Sequence, residues 1–373
     1  MNSHHIIHKI RRSVIGERDI IQTSFGEKPL IYADYTASGR ALSFVEDYIQ
    51  KQVLPSYAKT HTETSYTGAQ TTALREQARR IIHNAVNGNT DDQVIFCGPG
   101  ATSAFNKLID ILNLRLPAVI NERYQLEAQI PQDQRPVVFI GPYEHHSNEL
   151  PWRESIAELI VIPLDKDGMI DAQTLEKKLN TYTHRELIIG SFSAASNVTG
   201  IKSDVNQISD LLHRYGAYAF WNYAAAAPYM GIDMNPADKV KNYKDAVFIS
   251  PHKFIGGSGT PGVLIVKKQL LTNSVPSIPS GGTVMHVTPE DHKFISDHER
   301  REEGVTNAPW ISVSNSDGFA VNPADQRERW SGFDERQEPI IYCGSGVTAS
   351  VNLLSRELAA LPLGKLYPGS WSE

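Results

Sequence analysis

Ser250-Pro251-His252-Lys253-Phe254 closes the short apolar run Ala246-Val247-Phe248-Ile249 and opens onto Ile255-Gly256-Gly257-Ser258-Gly259. Lysine normally sits on a solvated face. At the mouth of a buried strand, between a histidine and a glycine-rich turn, its ammonium is desolvated and its pKa falls. The free amine that forms Schiff bases is then favoured. An isolated Ser-x-His-Lys is more often a strand-end lysine reaching water. The chemical reading therefore rests on what the remaining chain sets around Lys253.

A chain of 373 residues has room for two domains, or for one large α/β unit with an appendage. A hydrophobic fraction of 40% with 21% charged residues is ordinary for a globular protein. A formal net charge of −6, without a basic block, gives no nucleic-acid footprint. Met1 to Arg12 lacks the apolar core of a signal peptide, and no run approaches a membrane span. Two cysteines, Cys97 and Cys343, make no disulfide framework, so a reducing cytoplasm is expected. His4, His5 and His8 stand without a supporting cysteine or acidic cluster, and no metal site is read there.

Residues up to 28 read as a short amphipathic helix and linker. Leu30-Ile31-Tyr32-Ala33-Asp34 is expected to be a short strand breaking into the small-residue turn Tyr35-Thr36-Ala37-Ser38-Gly39. Helical spacing follows over 41–52 and 70–87. From about residue 93 short apolar strands alternate with helices. Strands are expected at 94–96, 137–140, 159–163, 187–192, 217–221, 246–249 and 262–266, with helices at 172–180 and 203–214 among others. That alternation predicts a mostly parallel sheet covered by helices on both faces, with ligands at the carboxyl ends of its strands.

Those strand ends carry the chemistry. Gly98-Pro99-Gly100-Ala101-Thr102 follows a strand and opens a helix, so its N–H groups and the Thr102 hydroxyl suit a phosphate. It is neither a Walker loop nor a G-x-G-x-x-G, and a plain tight turn explains it about as well. Glu144-His145-His146-Ser147-Asn148-Glu149 puts titratable groups after the next strand. Ser193 to Gly200 is a further small polar loop. Trp221-Asn222-Tyr223-Ala224-Ala225-Ala226-Ala227 ends another strand, its alanines leaving space for a flat ligand.

Phosphate turn, strand-end histidine, strand-end asparagine, small-residue platform and lysine, in this order, resemble the class V aminotransferases, pyridoxal-phosphate enzymes of fold type I. The likeness is strongest to their cysteine desulfurase and selenocysteine lyase branch. It runs from about Tyr32 to Thr306 through Ser196-Asn197-Val198-Thr199-Gly200, Gly281-Gly282-Thr283-Val284 and Arg301-Glu302-Glu303-Gly304. The resemblance implies pyridoxal 5'-phosphate bound covalently to Lys253, which would also move the Cα proton. It implies phosphate contacts from Ala101, Thr102, Ser250 and His252, and from Thr283 of a second subunit, hence a homodimer. His145, rather than His146, would stack on the pyridine ring, Asn197 would bond the phenolic oxygen or the substrate, and Ala225 would line the platform. Asn222 stands where the family has an aspartate beneath the pyridine nitrogen. A carboxylate there keeps the ring protonated and electron-accepting, and a neutral amide does not. Cofactor binding survives such a change while turnover falls.

Beyond Thr306 the tail is similar to the C-terminal half of a rhodanese domain of the mercaptopyruvate/thiosulfate sulfurtransferase type. Asn307-Ala308-Pro309-Trp310, Pro339-Ile340-Ile341-Tyr342-Cys343-Gly344-Ser345-Gly346-Val347-Thr348-Ala349 and Leu366-Tyr367-Pro368-Gly369-Ser370-Trp371 carry the likeness. A strand, a tight loop and a helix are expected from Pro339 to Leu358. Cys343 at that loop mouth would have a lowered thiol pKa suited to a persulfide. The expected division is a helix and linker over 1–28, a cofactor domain over 29–306 and a partial rhodanese-like segment over 307–373. The small domain and desulfurase cysteine loop of the first family have no counterpart we read in that segment. The expected function is cleavage of the C–S bond of a cysteine-like amino acid, with Cys343 the candidate thiolate and an acceptor protein for the sulfur. A sulfurtransferase using Cys343, or an inactive cofactor-binding protein, are the alternatives.

Overall fold

Alternate residues along a strand point to opposite faces of its sheet, and here both faces are apolar. Val94, Val137, Phe139, Ile188, Phe192, Trp221, Val247 and Ile265 belong to one buried cluster. Their neighbours Ile95, Val138, Ile140, Ile189, Phe220, Ala246, Phe248 and Leu264 belong to another. Leu175 and Leu179 of helix Ala172–Tyr182 and Ile208, Leu211 and Leu212 of helix Val205–Arg214 cover the first face. Ala104, Phe105, Leu108 and Ile109 of helix Gly100–Ile111 cover the second. Strands buried on both sides read as continuous apolar runs, which is why the sequence exposed them so clearly.

In the computed structural model, which describes residues 3–58, 60, 65–237, 241–304, 322–330, 340–341, 347–362 and 365–366, these runs form seven strands. They are β1 (Asp92–Pro99), β2 (Val137–Ile140), β3 (Glu158–Val161), β4 (Ile188–Ser193), β5 (Tyr218–Asn222), β6 (Ala246–Ile249) and β7 (Pro261–Lys267). Their order across the sheet is β1-β7-β6-β5-β4-β2-β3. From β3 through β2, β4 and β5 to β6 every pairing is parallel. β7 runs antiparallel between β1 and β6. The mostly parallel α/β sheet is thus as expected, and its carboxyl edge gathers the residues after β1, β2, β4, β5 and β6.

The chain divides into two compact units, 1–50 with 80–274 and 51–79 with 275–373. The first holds the large sheet. It begins with helix Ser3–Ser13 and a hairpin pairing Ile20–Thr23 with Gly26–Pro29. The strand expected over Leu30-Ile31-Tyr32 does not form: the segment is irregular, and the ladder lies just upstream in that hairpin. The cause is local, because the Tyr32 hydroxyl lies 2.8 Å from both the Asp34 and Ser38 carbonyls and shares its one proton between them, curling the segment into a turn.

In the second unit, Glu303 is buried between Arg75 and Arg79, at 2.7 and 2.9 Å. Helix His298–Glu303 is capped by Asp297, which accepts from the Arg300 N–H at 3.1 Å, and ends at Gly304 with φ 68°. Further along, Ile340–Ile341 pairs in parallel with Lys365–Leu366, and helix Val347–Leu358 lies between them in sequence. The expected strand and helix are both present. Trp330, Ala359 and Leu361 form a small buried cluster, in which the Trp330 indole donates to Ser355 Oγ at 2.9 Å. Cys343 lies outside the described residues.

Candidate active site

β6 is buried along its whole length, and the chain leaves it through Ser250 into a short 3₁₀ turn, Pro251–Lys253. Two close approaches fix this turn. Gly39 donates its N–H to the His252 carbonyl at 2.9 Å, and a Cβ on Gly39 would lie 1.9 Å from the Phe254 oxygen. A Cβ on Gly257 would lie 2.1 Å from the Pro251 oxygen. Held in this way, Lys253 is half-buried. Burial pushes its ammonium pKa below the usual lysine range, with Asp34 opposing the shift. His252 is also pushed down, by burial first and then by the Lys253 charge.

Beside it, β1 ends at Pro99 and Gly100 turns with φ 61° into helix Gly100–Ile111. A Cβ on Gly100 would meet His252 Cε1 at 2.8 Å and Ser250 Oγ at 3.2 Å. The Ala101 N–H donates to Ser250 Oγ at 2.9 Å. Thr102 Oγ1 lies 2.8 Å from Ser147 Oγ, which lies 3.1 Å from His145 Nδ1. The structure therefore brings Ala101, Thr102, Ser250, His252, His145 and Lys253 to one edge.

His145 caps the turn His146–Asn148 by accepting the Ser147 N–H at Nδ1, 3.1 Å away. That bond leaves the proton of the neutral ring on Nε2. Burial, then the charges of Lys253 and His146, push its pKa down, so the neutral ring is favoured. Asn222 ends β5 in a buried position, Oδ1 accepting the Ala224 N–H at 3.0 Å and Nδ2 donating to Ser193 Oγ at 3.3 Å. Ala225 is half-buried in the turn that follows, and Asn197 is half-buried in the hairpin closed by the Ala195–Lys202 bridge. Thr283 lies in the second unit, fully buried, with its hydroxyl donating to the Ser280 carbonyl at 2.7 Å.

Ser147, Glu144 and Ser193 were not singled out from the sequence, although Ser147 binds Thr102 and His145, and Ser193 binds Asn222. Ser147 joins Thr102 to His145, and Glu144 accepts the Ser193 hydroxyl at 2.5 Å. Their signal was only their place in strand-end polar runs. Among the described residues no cluster of three or more His, Cys, Asp or Glu is arranged to hold a metal.

A desolvated amine, a neutral imidazole and a helix N-terminus flanked by two hydroxyls suit a ligand that carries a phosphate at one end and a carbonyl at the other. Such a site at the carboxyl edge of a mostly parallel sheet defines an α/β protein of the kind that holds a phosphorylated cofactor. The chain belongs to the aminotransferase class-V family, whose model matches residues 31–316, and the cofactor of that family is pyridoxal 5'-phosphate. The match continues past Thr306, where the sequence motifs of the resemblance end. The chain is 26% identical over 305 residues to a cysteine desulfurase of Synechococcus elongatus, covering 81% of this chain and 44% of that protein. It is 28% identical over 274 residues to a probable cysteine desulfurase of Halalkalibacterium halodurans, covering 71% and 60% respectively. It thus spans about half the length of these curated relatives. Its fold is similar to the apo cysteine desulfurase of Thermococcus onnurineus, with a TM-score of 0.62 at 21% identity over 80% of this chain and 66% of that one. It is also similar to the cysteine desulfurase CsdA of Escherichia coli, with a TM-score of 0.53 at 20% identity over 71% and 61%.

The residues fit the cofactor at its phosphate end, where Gly100 leaves the space between Ser250 and His252 that a Cβ would fill. Asn222, which the sequence resemblance sets at the pyridine end, presents a neutral amide in place of a carboxylate.

Proposed function

We propose that the chain is a pyridoxal-phosphate enzyme acting on a cysteine-like amino acid, with C–S bond cleavage as its reaction. The desolvated amine of Lys253 beside the Ala101–Ser250 contact carries this reading. The phosphate would rest on Ala101, Thr102, Ser250 and His252. Bound there, the cofactor supplies a carbonyl for the lysine and an electron-accepting ring. Lys253 Nζ, when free, takes the Cα proton, and its lowered pKa favours the unprotonated form that this role needs. The His145 ring would orient the cofactor from one face, Asn222 and Ala225 would bound the site near the ring, and Asn197 would bond the phenolic oxygen or the substrate.

Asn222 makes the ring a weaker electron sink than a carboxylate would. Losing one charge-assisted hydrogen bond in a dry site costs about 1.5–3 kcal/mol, or about ten- to a hundred-fold in rate. The reading therefore includes slow turnover. It also includes a homodimer, an acceptor protein for the released sulfur, and a cytoplasmic setting; the buried Thr283, whose hydroxyl is held by the Ser280 carbonyl, is left out of it. Cysteine-dependent formation of alanine by the purified chain with added cofactor, and of sulfide when a thiol reductant is also added to reduce the transferred sulfur, tests it. Activity lost in Lys253→Ala supports the assignment; the absence of both products from the wild-type chain overturns it.

The tail supports a second reading. Its parallel strand pair with an intervening helix is the kind of frame on which a strand–loop–helix sulfurtransferase site is built. In this reading Cys343 carries sulfur as a persulfide. Thiosulfate-to-cyanide transfer that disappears in Cys343→Ala supports it, and transfer unchanged by that substitution removes Cys343 from the account.

A further inference from the structure

Asn222 and Ser193 are direct partners in the parallel register of β5 and β4. The hydrogen bonds around them run in one sense. Asn222 Nδ2 donates to Ser193 Oγ at 3.3 Å, and Ser193 Oγ donates to Glu144 Oε2 at 2.5 Å. The same carboxylate accepts the Ser193 N–H at 2.8 Å and the Asn148 Nδ2 at 2.7 Å. Asn148 is itself fully buried, and its Oδ1 accepts from the Trp152 indole N–H at 3.3 Å, a group that can only donate, as well as from Ser191 Oγ at 2.6 Å, so it cannot turn its amide round. A hydroxyl has one hydrogen to give. With that hydrogen on Glu144, Ser193 offers only a lone pair to Asn222.

We propose that Glu144 is a positioning residue for the pyridine end of the site. By holding the Ser193 proton it locks the Asn222 carboxamide, nitrogen toward Ser193 and oxygen toward Ala224, and sets a negative charge two hydrogen bonds from that amide. The inference rests on the reading of Asn222 as the residue beneath the pyridine nitrogen. A flipped amide would face its NH₂ to the Ala224 N–H, donor against donor. It would also face its oxygen to a serine with no proton left to give. The lock therefore fails when Glu144 loses its charge or Ser193 its hydroxyl. The groups facing the carboxylate are the Ser193 and Gly141 amides, the Ser193 hydroxyl and the Asn148 carboxamide. Tyr143 is the titratable neighbour that feels its charge. Burial pushes the Glu144 pKa up while these bonds oppose the shift, so the lock opens on acidification.

The test uses the full chain with ¹⁵N-labelled asparagine and ¹³C-carboxyl-labelled glutamate, with and without cofactor. The Asn222 side-chain signal, assigned by its loss in Asn222→Ala, should shift with pH at the midpoint of the Glu144 carboxyl signal. Ser193→Ala should abolish that coupling while Glu144 still titrates, and Ser193→Thr, which keeps a hydroxyl, should restore it. With cofactor bound, Ser193→Ala should move the pH midpoint of the visible absorbance by about one pH unit, a change that mere packing would not produce. An Asn222 signal that ignores the Glu144 titration, or that follows it unchanged in Ser193→Ala, overturns the proposal. Failure of the chain to bind cofactor at Lys253 would instead overturn the proposed function, and the amide signal would still decide the relay.

Discussion

Gly39 and His252 are joined backbone to backbone at 2.9 Å, and this contact presses the 30–40 segment onto the lysine turn. A Cβ on Gly39 would lie 1.9 Å from the Phe254 oxygen, so position 39 has no room for a side chain. Gly39→Ala is expected to force the turn apart at about 1–3 kcal/mol. The chain should remain folded but bind cofactor at least about tenfold more weakly. Cofactor titration followed by absorbance checks this, and unchanged affinity would mean that the 30–40 segment does not help shape the site.

Asn222→Asp tests the pyridine end. The variant should exchange the substrate Cα proton at least about tenfold faster than the wild type. The gain should shrink as the pH falls, because the new carboxylate shares the single Ser193 proton with Glu144, and one of the two then binds a proton of its own. Deuterium exchange measured across pH reads this out. Equal rates at every pH would remove Asn222 from beneath the ring.

The His145 titration reports on Lys253. His145 sits below the ordinary histidine range partly because of the lysine charge. Lys253→Ala should therefore raise its pKa, measured by imidazole NMR. A histidine unmoved by that change is not beside the lysine amine.

The lysine turn, the Gly100-Ala101-Thr102 turn and His145 were legible in the sequence because each is a local signal at a strand end. The two-faced sheet was legible because doubly buried strands are continuously apolar. The Glu144–Ser193–Asn222 chain was not, since it depends on the parallel register that sets Ser193 opposite Asn222. Neither strand encodes that register alone. The strand expected at Leu30-Ile31-Tyr32 failed for a related reason. Its apolar letters match a strand, but the Tyr32 hydroxyl curls the segment onto its own carbonyls.

Away from the site, Lys244 is buried with neutral partners, Asn206 Oδ1 at 3.1 Å and the Asn242 carbonyl at 3.4 Å. Burial lowers its pKa from 10.5 to about 8, with the charge of Asp233 opposing the shift. Between these values the unfolded chain binds the extra proton. The stability contribution is present above pH 10.5 and is lost as the pH falls through about 8. Wild-type stability relative to Lys244→Met should rise over that window by on the order of 3 kcal/mol. Urea unfolding at pH 7.5 and pH 10 checks the sign, and a constant difference would mean that the amine is solvated.

The attachment point of the cofactor is the most direct test of the whole account. The chain incubated with pyridoxal 5'-phosphate, reduced with borohydride and digested should yield one pyridoxyl-bearing peptide, modified at Lys253. A label on another lysine, or no label at all after reduction, would contradict it.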